Sequence, residues 1–389
     1  MKRNTTIRFT TFVWKISSRC NLNCSYCYIY NGQDNNWKNQ PPFMTAEVAS
    51  QAALNIARYC NSNSIKKIGI VFHGGEPLLG GADYLAKIIS TLENVFHKYA
   101  VKFYISIQSN GLLFSPEIGD LLLRKNVTLS ISLDGPPVIN DKNRIDHFGN
   151  PSTNLLESKL HILTSSKYRK IFGGFLCVIN IESNPILVLE YLLSYEPASI
   201  DFLLPDNNHD YLPLGMKNNN TIYADWLIEI FDYWFSHKTK TNVRMFDVLI
   251  RSVLGQRSTM DSFGLTPMEF VVIETNGDIE GLDVLKTTYS GAARLGYNVF
   301  ENTLDQVSSH AIIKLMQRGF ESLCAECREC SIVDICGGGY LPHRYSTKSE
   351  FDNPSVYCND LMKLIVHIKN KVFSEIKGSN LNEKLFNHK

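Results

Sequence analysis

Apolar residues recur along the first half of the chain in two alternating rhythms. Short apolar runs read as strands at Phe12–Ile16, Ile68–Phe72, Phe103–Ile107, Val127–Leu133, Phe172–Ile179 and Ile200–Leu204. Between them, apolar positions at helical spacing predict helices near Ala46–Tyr59, Tyr84–Tyr99, Ile118–Arg124, Asn154–Thr164 and Pro185–Leu193. Strands alternating with helices over about 190 residues are βα units, so the strands should run parallel with right-handed crossovers. Six such repeats predict an α/β fold, a partial (β/α)6 barrel open on one side. An open barrel can admit a polypeptide.

After residue 206 the rhythm changes. Asn207–Asn220 is polar and reads as a linker, and Tyr223–Phe235 as a helix whose aromatic stripe belongs to a core. Phe270–Ile279 reads as strand, turn, strand, with Asn276-Gly277 as the hairpin signal. Leu361–Phe373 is a terminal amphipathic helix, and the polar tail beyond about Lys377 should fray. The expected organisation is a barrel over 1–206, bridging helices over 207–263, a cysteine-rich domain over 264–362, and a helix and tail over 363–389.

Composition narrows the class. A chain of 389 residues with 44% hydrophobic content suits a soluble protein of two or three domains. Its apolar runs are too short to span a bilayer, and Met1–Thr6 has no apolar segment behind it to make a secretory signal. The expectation is a cytoplasmic protein with no membrane partner. A net charge of +1 gives no pull toward nucleic acid. The ten cysteines are therefore not a disulfide framework. Cys60 and Cys177 stand alone in apolar surroundings and read as small buried hydrophobes; the others fall into two groups.

The first group is Cys20-x3-Cys24-x2-Cys27, just past the first strand. Three thiolates in one tight loop can hold three corners of a 4Fe-4S cluster and leave one iron open for a chelating ligand. Zinc would want a fourth ligand close by, and none is offered. The site would lie at the C-terminal end of the strand, where α/β proteins place their chemistry. This motif, with Tyr26 before its third cysteine, resembles that of the radical S-adenosylmethionine (SAM) enzymes. The resemblance implies that the open iron chelates SAM and that the reduced cluster cleaves it to methionine and a 5'-deoxyadenosyl radical. It also implies SAM contacts at Gly74-Gly75-Glu76-Pro77, which ends the second strand, and at Ser132 and Asp134, which end the fourth. Arg144 could pair with the SAM carboxylate in bidentate geometry, and Asn110 and Asn180 point to the same rim.

The second group reads Cys324-x2-Cys327-x2-Cys330-x5-Cys336, then Cys358. Cys327, Cys330, Cys336 and Cys358 resemble the outer auxiliary 4Fe-4S site of the SPASM extension in peptide-modifying radical SAM enzymes. A structural zinc knuckle is the competing reading. The same resemblance would place an inner auxiliary cluster, but Leu282 and Tyr340 stand where cysteines are expected and 178–323 contains none. The inner cluster therefore looks lost, and Cys324 is surplus. Cys336-Gly-Gly-Gly-Tyr340-Leu-Pro342-His343-Arg344-Tyr345-Ser346 resembles a segment of the FxsB/XyeB-type maturases. That resemblance implies a three-residue cyclophane between an aromatic ring and the β-carbon two positions later in a ribosomally made precursor peptide. It implies a flavodoxin- or ferredoxin-type reductant as well. Asp206, with His209 and Asp210 beside it, stands where a proton acceptor could sit. Other readings are a formylglycine-forming sulfatase maturase, against which the missing inner cluster counts, a thioether-forming enzyme, or a noncatalytic peptide-binding scaffold.

Overall fold

A computed structural model describes residues 8–216, 220–317 and 319–378. The expected tail lies almost wholly outside the described residues, as do Asn218 and Asn219 of the expected linker. The alternation of strand and helix is as the apolar runs predict: β1 (Thr11–Ser17), β2 (Lys67–Gly74), β3 (Lys102–Ser109), β4 (Thr128–Ser132), β5 (Phe172–Val178) and β6 (Ser199–Leu203), each parallel to the next. Helices Ala46–Ser62, Gly81–Lys98, Pro116–Lys125, Thr153–Leu163 and Pro185–Leu193 lie in the crossovers.

Local chemistry sets the helix starts. Thr45, Ser115 and Asn184 each accept a hydrogen bond from the backbone N–H three residues on, and Pro116 and Pro185 occupy the first helical position where no N–H is needed. Asn126, at φ 52°, ends the third helix in the left-handed conformation that asparagine tolerates.

Strand periodicity then separates core from cavity. On β1, Phe12, Trp14 and Ile16 are fully buried and share one core with Ala49, Ala53 and Ile56 of the first helix. Val13, on the opposite face, lines the central cavity, as do Val71 of β2, Leu176 and Val178 of β5, and Leu203 of β6.

Four further strands extend the sheet: β7 (Asn242–Val243), β8 (Phe270–Ile273), β9 (Asp278–Glu280) and β10 (Arg294–Asn298). Among the described residues the order is β10-β9-β8-β1-β2-β3-β4-β5-β6-β7. The Asn276-Gly277 hairpin forms β8 and β9, with Gly277 at φ 90°. Its strand β8 pairs parallel to β1, in register Val13 with Val272, so one sheet runs from the barrel segment into the cysteine-rich segment. Buried ions reinforce that seam. Lys15 Nζ meets Glu274 at 2.9 Å and Asp283 at 3.4 Å, and Lys286 Nζ meets Glu274 and Glu280, both at 2.7 Å. Burial alone would lower the Lys15 pKa, but Glu274, Asp283 and Glu280 outweigh it and hold the pKa well up.

The two residues of β7 carry no periodicity to read, and the helix Arg244–Val253 follows them directly. Among the described residues no helix is long and apolar enough to cross a membrane.

Candidate active site

The cavity, about 430 Å³, opens at the C-terminal ends of the parallel strands, and Cys20, Cys24 and Cys27 all line it. Two glycines let the loop come so close. A Cβ on Gly75 would stand 2.0 Å from the Tyr30 hydroxyl and 2.2 Å from the Arg19 carbonyl oxygen. One on Gly74, at φ 124°, would stand 2.1 Å from the Ser17 carbonyl oxygen. The end of β2 therefore packs backbone to backbone against the cysteine loop, which only glycine allows.

Burial, then the nearby Glu76 carboxylate, pushes the Cys20 thiol up to about 12, and burial raises Cys24 and Cys27. Such thiols stay protonated until a metal takes the proton's place. Among the described residues no three His, Cys, Asp or Glu side chains converge on a single metal ion. Thiolates of a cluster bind different irons and need not converge. Three cavity-facing thiols with a glycine cradle behind them thus fit a 4Fe-4S group with one iron left open.

Glu76 is fully buried behind this cradle, and its oxygens are occupied. Oε1 accepts from Leu78 N at 2.9 Å and from Ser109 Oγ at 2.7 Å; Oε2 accepts from Asn110 N at 2.7 Å. It ties the end of β2 to the end of β3, while Gly74, Gly75 and Asn110 line the cavity itself. The Asn110 amide donates to Asn21 Oδ1 at 2.8 Å, next to Cys20. Ser132 also lines the cavity, its hydroxyl accepting from Gln108 Nε2 at 2.8 Å.

Tyr26, Asp134 and Arg144 form one buried chain. The Tyr26 hydroxyl donates to Asp134 Oδ2 at 2.6 Å and accepts from Arg144 at 2.7 Å; Asp134 Oδ1 accepts from Val178 N at 3.0 Å. Tyr26 and Arg144 reach the cavity, while Asp134 faces a neighbouring crevice that also holds Asn180. The Asn180 side chain accepts from Glu182 N at 2.9 Å, shaping its own turn.

The rest of the lining is acidic. Asp206 lines the cavity; burial, then repulsion from Asp283 and Asp261, pushes it up to about 7, although its side chain remains 30% exposed. Its neighbours in sequence do not join it. His209 bonds the Pro354 carbonyl oxygen and Asp210 accepts from Thr347 N, both on the exposed surface. Asp201, Asp261, Asp283, Arg244, His73 and His343 also line the cavity, and sequence reasoning singled out only His343 among them. The alternation of Asp201 along β6 and its place on the cavity face were the available signal.

The second cysteine group assembles as a neighbourhood of five. Burial and the adjacent Cys324 raise the Cys327 thiol, with Cys358 and Cys336 contributing. Burial pushes Cys336 up to about 12, with Cys358 and Cys330 near it. Gly337, Gly338 and Gly339 all have positive φ, and a Cβ on Gly337 would stand 1.9 Å from the Gly264 carbonyl oxygen. The glycine run thus wraps the chain tightly around Cys336. Beyond it the segment divides: Tyr340 and His343 face the cavity, while the buried Arg344 bonds the carbonyl oxygens of Phe351 and Ser322 beside the thiols. A donor set of four or five thiols with a fixed cation nearby fits an iron–sulfur group. Cys60 and Cys177 are fully buried in the core.

Residues 14–158 match the family model of the Radical SAM superfamily. The chain is 28% identical over 357 residues to a cysteine-type anaerobic sulfatase-maturating enzyme of Clostridium perfringens, covering 88% of this chain and 91% of that protein. It shares its fold with native anSMEcpe with bound AdoMet: TM-score 0.81 at 22% identity, over 95% of this chain and all of that one. Streptococcus suis SuiB bound to precursor peptide SuiA superposes at TM-score 0.59 and 16% identity, over 92% of this chain and 77% of that one.

Proposed function

We propose, from the premise that residues 14–158 form a radical SAM domain, that the protein is a radical SAM maturase of peptide substrates, oxidising a residue at its side-chain β-carbon. The observation that carries this reading is the meeting of three cavity-facing thiols and an acidic wall in one open-sided cavity. The similarity to the sulfatase-maturating enzyme over most of both chains supports a peptide as the substrate.

When bound, a 4Fe-4S cluster and SAM supply one-electron reduction and a hydrogen-abstracting deoxyadenosyl radical. Cys20, Cys24 and Cys27 would hold the cluster. Gly74 and Gly75 offer backbone at the SAM site, and Asn110 and Ser132 offer side chains. Arg144, fixed by Tyr26, presents a guanidinium to a carboxylate. Asp206 would accept the proton released as the substrate carbon is oxidised; a carboxyl at about 7 is matched to that task near neutral pH. Cys327, Cys330, Cys336 and Cys358 would hold one auxiliary 4Fe-4S cluster, which would take up the electron that the substrate carbon gives up.

The reading nearest the relatives is conversion of a peptide cysteine or serine to formylglycine. Cyclophane formation is the second reading, favoured by Leu282 and Tyr340 standing where the inner auxiliary cluster would have ligands, and by the segment Tyr340–Ser346. The test is anaerobic reconstitution with iron and sulfide, then SAM, dithionite and peptide. Formation of 5'-deoxyadenosine with a hydrazide-trappable aldehyde on a sulfatase-motif peptide supports the first reading. Loss of two hydrogens from a candidate precursor, with no aldehyde, supports the second. No 5'-deoxyadenosine under any condition refutes both.

A further inference from the structure

Six residues lining an acidic arm of the cavity have no part in holding the cluster or SAM: Asp206, Asp261, Leu282, Asp283, Tyr340 and His343. Leu282 and Tyr340 are the positions where the SPASM resemblance expects cysteines. The space beside them is open cavity lined by carboxylates.

The arm is short of positive charge. Lys15 is committed to Glu274 and Asp283, and Arg244 donates to Asp201 at 3.0 Å while its charge also acts on Asp261. Arg144 is bound to the Tyr26 hydroxyl. Among the described residues no cation pairs with Asp206; the neutral His343 places Nε2 3.9 Å from its Oδ1. Burial pushes His343 down to about 3, so its imidazole carries no charge. The His343 side chain is only 4% exposed, and Nε2 has no hydrogen-bond partner. Tyr340 and Tyr357 hold it edge-on, at ring-centroid separations of 5.3 and 4.9 Å. Asp201 Oδ1, also buried and without a partner, belongs to the same cavity. Unpaired buried acceptors are costly, so they mark a place where a donor belongs.

Among the described residues no three potential ligands converge on one point. Carboxylates that repel one another without converging suit an organic cation, whose N–H donors are spread in space. The Tyr340 ring adds a face on which such a cation can rest.

We propose that this arm is a specificity pocket for a lysine or arginine side chain of the peptide substrate. Asp261 takes its charge and His343 Nε2 accepts one of its N–H groups. The proposal deepens the peptide-maturase reading above and rests on it.

The test is binding, without reductant, to the reconstituted protein carrying SAM. The probes are capped Gly-Lys-Gly against its norleucine counterpart, and capped Gly-Arg-Gly against its citrulline counterpart. A charge-assisted contact should favour at least one cationic probe about tenfold or more over its neutral partner. Asp261→Asn should shrink that preference, and Asp261→Lys should reverse it in favour of capped Gly-Glu-Gly. Equal binding of charged and neutral probes to the wild type overturns the proposal, whether or not the variants fold. So does a preference that both Asp261 variants leave intact. The peptide reading is judged separately: if no peptide is modified yet the cation preference holds, that reading falls and the pocket stands; if peptides are modified and the preference is absent, the reverse holds.

Discussion

Glu76→Gln changes one atom's chemistry and almost no volume. In the folded chain the carboxylate serves three donors: Leu78 N, Ser109 Oγ and Asn110 N. Glutamine has one oxygen. If that oxygen faces Leu78 and Ser109, the new amide group meets the Asn110 N–H donor to donor. If it is flipped, the Ser109 hydroxyl can rotate to accept, but Leu78 N–H loses its acceptor. Either orientation strands one buried backbone donor, and the surviving bonds lose their charge assistance. One stranded buried donor costs about 1–3 kcal/mol. The expected loss in unfolding free energy is therefore ~2 kcal/mol, read by urea denaturation of the reduced, iron-free chain with m-values compared. These bonds hold the end of β2 against the end of β3, and Gly74 and Gly75 line the cavity there. SAM affinity should fall along with stability. A variant that loses SAM binding while its unfolding free energy stays at the wild-type value would refute this reasoning. That outcome would mean Glu76 acts on the ligand directly.

Other substitutions test the rest of the site. Asp206, pushed up to about 7, keeps a proton in the folded chain that an unfolded carboxyl near ~4 releases. Its contribution to stability is therefore present at low pH and is lost as pH rises from ~4 toward 7; Asp206→Asn should flatten that slope in denaturation midpoints taken across the range. Peptide modification should show a limb rising with pH, with its midpoint near 7, that this variant removes. Alanine at Cys20, Cys24 or Cys27 should abolish 5'-deoxyadenosine formation. Alanine at Cys327 or Cys336 should lower bound iron, measured by colorimetric assay, while leaving SAM cleavage detectable. Lys15→Met leaves Glu274 and Asp283 with less compensation in a buried setting and should cost about 3–5 kcal/mol, against which wild-type stability in the same urea assay would count.

The sequence by itself determined the barrel half of this protein. Its parallel strands pack one face against the helices and line the cavity with the other, so they read as short apolar runs, and helix starts were marked by Thr45, Ser115-Pro116 and Asn184-Pro185. The cysteine loop was legible because its ligand types and spacing are local, and the hairpin because Asn276-Gly277 is a turn signal complete in two residues. Tertiary structure decided what depends on contacts distant in sequence. It turned the Glu76 carboxylate inward to the backbone of Leu78 and Asn110, which a strand-end motif does not reveal. It paired β8 with β1, a register set by side chains some 259 positions apart, as the Lys15–Glu274 ion pair is. It also gathered Asp206, Asp261 and Asp283 around one space. No periodicity links those three residues; they meet because three different chain segments end at the same rim, and the charge of a cavity is a property of that meeting.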